Sequence, residues 1–101
     1  MHMNSRRQYD AARCIVRRVI AAWDPYDLLS GGAPPDEFDH EVSLVTARIP
    51  RIDSPESAAA HLSNVFTQQF GPESFGIDAC REVGRDLYEQ LHEADLLEPK
   101  Q

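Results

Sequence analysis

In four separate stretches of this chain, apolar residues recur at intervals of three and four. Nowhere do they alternate with polar residues for long enough to make a strand. Such spacing lines side chains along one face of an α-helix. In the first stretch the stripe is Tyr9, Ala12, Val16, Val19, Ile20 and Trp23, which predicts a helix from about Ser5 to Ala22. Pro25 limits it, because the residue before a proline is pushed out of helical dihedrals. In the second, Phe38, Val42, Val45 and Ile49 mark a helix from about Pro35 to Arg48, closed by Pro50. Pro35 suits the first helical position, where no N–H is needed, and Asp36 and Glu37 then favour the helix dipole. The third stretch has the clearest start: Ser54 as cap, Pro55 as first helical residue and Glu56 in the first turn. Its stripe is Ala58, Leu62, Val65, Phe66 and Phe70, and Gly71-Pro72 ends it. The fourth runs from about Asp78 to Leu96 with Ile77, Cys80, Gly84, Leu87, Leu91 and Ala94 on its stripe. Gly84 costs the helix up to about 1 kcal/mol relative to alanine, so its place on the apolar face implies close approach of another helix.

Four amphipathic helices without a strand predict an all-α fold, a small bundle of four helices. A long ordered loop joins helices one and two. The 101 residues read as one helical domain, 1–101, with residues 1–4 disordered or tag-derived. No apolar run reaches about 18 residues, which excludes a transmembrane helix, and the N-terminus lacks the apolar core of a signal peptide. Cys14 and Cys80 both fall on the predicted apolar faces. Buried reduced thiols, and hence a cytoplasmic location, are expected.

The formal net charge is −7, which disfavours nucleic acid as a partner, since phosphates need a basic face. Half of the ten basic residues, Arg6, Arg7, Arg13, Arg17 and Arg18, lie in the first helix. Two outcomes are open. The separated charges are satisfied by helix-to-helix ion pairs, or they steer an external cationic partner. The connecting loop concentrates the acids. Asp24, Asp27, Asp36, Glu37, Asp39 and Glu41 are accompanied by no Lys or Arg. Loops of this length are often functional.

The same region carries a resemblance. A helix ends in Trp23-Asp24-Pro25. A Gly-Ala-Pro-x-Asp-Glu-Phe-Asp segment, from Gly32 through Pro34 to Phe38 and Asp39, opens the next, and an apolar helix ends in Phe70-Gly71. A final helix then starts near Cys80. This combination, from about Ala22 to Leu91, resembles the YugE-type family of small bacterial proteins of unknown function. It is also similar to a wider set of short proteins found beside polymorphic toxin genes, some of which are taken to be immunity proteins. The resemblance implies the helical fold and makes Trp23, Asp24, Pro25, Pro34, Phe38 and Asp39 a structural motif. It assigns no activity.

No catalytic constellation emerges. Gly31-Gly32 lacks the spacing and the lysine of a phosphate loop, and Ser30 has no nucleophile-elbow context. Asp36, Asp39 and His40 could offer metal ligands on one turn. Read as a helix start, the same acids complement the dipole and satisfy free N–H groups. His40, His61 and His92 are scattered over three helices. No enzyme, no metal and no cofactor is expected. The leading expectation is a protein-interaction module, an immunity-type inhibitor that meets a cationic toxin through an acidic surface of Asp27, Asp36, Glu37 and Glu41, with Tyr26 as apolar anchor. The alternative is a small structural or regulatory homodimer built on the Gly84 face of the fourth helix, so the chain is a monomer or a homodimer.

Overall fold

The computed structural model describes residues 6–24, 31–32, 38–70 and 76–97. Among them are four α-helices and no strand: α1 (Arg6–Trp23), α2 (Asp39–Ala47), α3 (Pro55–Phe70) and α4 (Arg81–Glu93). Short 3-10 turns over Ile49–Arg51 and Ile77–Cys80 precede α3 and α4.

Local chemistry sets most helix ends. The hydroxyl oxygen of Ser54 accepts the Ser57 N–H at 3.0 Å, the cap expected for α3. The start expected for α2 at Pro35 falls outside the described residues; within them α2 begins at Asp39 with Phe38 as its cap. Two aspartates stop helices by entering the left-handed region. Asp24 (φ 47) donates its N–H to the Ile20 carbonyl at 2.8 Å and ends α1. Asp95 (φ 58) donates to His92, and Leu96 donates to Leu91, both at 3.0 Å. That pair is a Schellman stop, and it turns Leu96 and Leu97 back into the core.

The fourth helix is shorter than the sequence predicts, because the 3-10 turn replaces its first residues. Such a turn winds three residues per turn, so Ile77 swings off the α4 stripe and is 46% exposed. Ala94 lies beyond the helix and is exposed as well. On α1 the stripe gains Ile15, whereas Tyr9 is 38% exposed. Cys14 is also a correction: it is exposed, and only Cys80 is buried. Cys14 stands two positions from both Ala12 and Val16, which is more than half a turn away from the stripe.

The core joins Ala12, Val16 and Ile20 of α1, Val42 and Val45 of α2, Leu62, Val65 and Phe66 of α3, and Leu87 and Leu91 of α4. Bonds between Arg17 and Asp39 and between Arg13 and Ser43 run α1 antiparallel to α2. Arg18 meets Gln90 while Ala22 and Trp23 share a groove with Glu82 and Val83, so α4 also runs antiparallel to α1. α3 and α4 meet at Gly84. A Cβ added there would lie 2.6 Å from the backbone of Ala59, so the close approach that the glycine implied is with α3 of the same chain. That contact occupies the face on which a symmetric dimer was expected to form.

Trp23 is half-buried, with its ring edge-on to Phe66 at 5.0 Å between centroids. Phe38, buried, approaches the same ring at 6.2 Å. The two ends of the long connection therefore converge on one side chain of α3.

Candidate functional site

Of the surface expected from sequence, Tyr26, Asp27, Asp36 and Glu37 lie outside the described residues, as do Pro25 and Pro34 of the structural motif. Glu41 is described and is a correction: it is 6% exposed and offers no open surface. The cause is the setting of α2, a nine-residue helix packed on both α1 and α3. Its buried face is broad and takes in Glu41 beside Val42, with Thr46 bonding back to the Val42 carbonyl at 2.6 Å. The Glu41 carboxylate sits in the first turn of α2, where the helix dipole favours negative charge. Asp39 is partly exposed and is paired with Arg17 at 2.8 Å.

The arginines of α1 turn to neighbouring helices. Arg17 holds Asp39, Arg13 donates to Ser43 at 2.6 Å, and Arg18 donates to Gln90 at 2.7 Å. Of the two outcomes left open by the sequence, a helix-to-helix ion pair is formed by Arg17, whereas Arg13 and Arg18 bond to neutral side chains of the neighbouring helices. Each contact is partly solvated and contributes modestly, about 0–1 kcal/mol for an exposed ion pair.

The acids of α4 behave differently. Glu82, Asp86, Glu89 and Glu93 follow i, i+4, i+7 and i+11, and all four are exposed. At about 100° per residue they fall within an arc of roughly 60°. None makes an ion pair among the described residues; Asp86 accepts only the neutral amide of Gln90 at 3.1 Å. Like charges at this spacing repel by roughly 0.2–0.5 kcal/mol per pair. The pattern was available in the sequence, but attention to apolar spacing on this helix passes over it. The cations of α4 lie to one side. Arg81 is tied to Asp78 at 2.9 Å, and with Arg85 it lines a cleft of about 190 Å³ against Pro55, Glu56 and Ala59.

On the other side of the acidic stripe, a groove of about 220 Å³ opens between the end of α1 and the start of α4. Val19, Ala22, Trp23 and Val83 supply apolar walls, and Glu82 and Asp86 supply carboxylates.

The remaining reactive groups are dispersed. Burial pushes the Cys80 thiol up to about 11. His61 is held below its ordinary value by partial burial and by Arg48 and Arg51. His40 is exposed, and His92 stacks on Tyr88 at 5.9 Å. Among the described residues, no three His, Cys, Asp or Glu side chains gather closely enough to hold a metal ion, and no helix is long and apolar enough to cross a membrane.

A family described as a domain of unknown function, DUF1871, matches residues 15–95. The match covers most of the chain, including all of α2, α3 and α4, and the chain belongs to this family. No curated protein and no solved structure matches it.

Proposed function

We propose that this member of the DUF1871 family is a non-catalytic protein-interaction module of the immunity type, which holds a cationic protein partner against its acidic surface. The observation that carries this reading is the stripe of Glu82, Asp86, Glu89 and Glu93, four exposed carboxylates on one face of α4 with no cation paired to them among the described residues. A basic partner laid along this face relieves the repulsion within the stripe and gains association rate from the opposite charge. The net charge of −7 supports it, as does the resemblance to YugE-type and immunity-like proteins. Asp27, Asp36 and Glu37, between α1 and α2 in the sequence, add to the negative charge of the chain and are candidates for the same partner by charge alone. A monomer is the expected free state, because the Gly84 face is already packed on Ala59.

The test is capture of partners from the native host at low and physiological salt. It is repeated with E82K/E89K on the stripe and D36K/E37K on the connection. A specific partner whose association slows with salt and with either charge reversal supports the module. A partner whose association rate ignores both salt and all four substitutions overturns it, as does a stable dimer by light scattering.

A further inference from the structure

We propose that the groove between α1 and α4 is a receptor for a single arginine side chain of the protein partner. The inference rests on the module reading and specifies where and how that partner is gripped. Volume is the first argument. Pockets for cofactors and drug-sized ligands span roughly 300–1,000 Å³, and this open groove has about 220 Å³, a size that suits one long side chain. Its chemistry is mixed in a way that suits one group. Val19, Ala22 and Val83 form apolar walls for an aliphatic stem. Glu82 and Asp86 are successive acids of one helix face, and both line the opening. Trp23 supplies an indole.

Guanidinium answers all three demands. It is planar and weakly hydrated, it stacks on aromatic faces, and it bonds to two carboxylates through a rigid fork. An ammonium is a compact, strongly hydrated point charge and uses the indole and the pair of acids less well. The groove is also held ready. Trp23 is braced edge-on by Phe66, which is fully buried, so the indole does not have to be ordered at the moment of binding. Asp86 is positioned by Gln90, itself held by Arg18 of α1. Among the described walls of the groove none is cationic, and Arg18 reaches Asp86 only through the amide of Gln90.

Trp23 is the single tryptophan of the chain, so its emission reports on this groove alone. The probes are three capped tripeptides, Gly-Arg-Gly, Gly-citrulline-Gly and Gly-Lys-Gly, titrated while Trp23 emission and its indole N–H resonance are followed. A saturable response to the arginine peptide, at least fivefold tighter than to lysine and absent with citrulline, is expected. E82Q/D86N, two exposed changes whose fold is checked by circular dichroism, should weaken it at least fivefold. No saturable response, equal responses to arginine and citrulline, equal responses to arginine and lysine, or full binding by the double variant each overturns the proposal. The stripe and the groove fail separately. A captured partner that is lost with E89K but kept with E82Q/D86N sinks the arginine receptor and leaves the module standing.

Discussion

The first and last helices run antiparallel along one another, each with one apolar face in the common core, and they use charge in opposite ways. On α1, three of the five arginines, Arg13, Arg17 and Arg18, reach across to α2 and α4 and serve as ties within the bundle. On α4 the anions Glu82, Asp86, Glu89 and Glu93 point to solvent and repel one another. These three cations tie the fold together, whereas the α4 stripe belongs to the surface. A helix can carry a repulsive outer face because its stability comes from packing of the inner one. Cys80, Val83, Gly84, Leu87 and Leu91 are all buried.

The comparison is broken most severely at that inner face. Gly84→Leu forces a side chain into the backbone of Ala59, where even a Cβ would sit at 2.6 Å. The loss should be about 4 kcal/mol or more, because the obstacle is backbone and cannot rotate away. Urea denaturation measures it. A loss under about 1 kcal/mol would mean that α4 does not dock as described, and its outer face would lose its fixed orientation.

The cysteines sharpen the contrast between the two helices. Cys14 on α1 is exposed, and Cys80 beside α4 is buried with its thiol pushed up to about 11. Below pH 9 both folded and unfolded chains keep the Cys80 proton, and this group is silent. Between about pH 9 and 11 the unfolded chain releases the proton while the folded chain retains it, so stability falls as pH rises. The slope is roughly 1.4 kcal/mol per pH unit. Cys80→Ala should abolish that slope, and Cys14→Ala should leave it in place. Native protein should expose one thiol to a thiol reagent; two reactive thiols would contradict the burial of Cys80.

The smallest effect tests the charges themselves. Arg17→Glu removes a tie to Asp39 and should destabilise, whereas Glu89→Lys relieves repulsion and should stabilise. Each change should stay below about 1 kcal/mol, with opposite signs that converge at high salt. Equal signs at low salt would remove the distinction between the two helices.

Much of the fold was legible because apolar periodicity is a local signal that burial enforces. Phe38, Val42, Val45 and Ile49 were expected inside and are inside. Ser54 was expected to cap α3 and does. The failures came where the answer depends on a neighbour. Glu41 reads as an acid on a helix start, and only the presence of both α1 and α3 against α2 puts it in the interior. Cys14 reads as apolar by residue type, but its angle on the helix faces it outward. The α4 stripe was written in the sequence at helical spacing. The Trp23 groove was not, because its walls come from positions some sixty residues apart that meet only when α1 and α4 pair.

The convergence of Trp23 and Phe38 on Phe66 has a consequence for divergence within the family. Both exits of the segment between them are fixed to one ring of α3, so the distance the segment must span is set by the core. Its length can then change with little penalty to the bundle, since each doubling of a loop adds only about 0.6 kcal/mol of closure entropy. Relatives should therefore vary in length between the Trp23-Asp24-Pro25 motif and the segment that opens at Gly32, while keeping both motifs and the ring on which Trp23 and Phe38 converge.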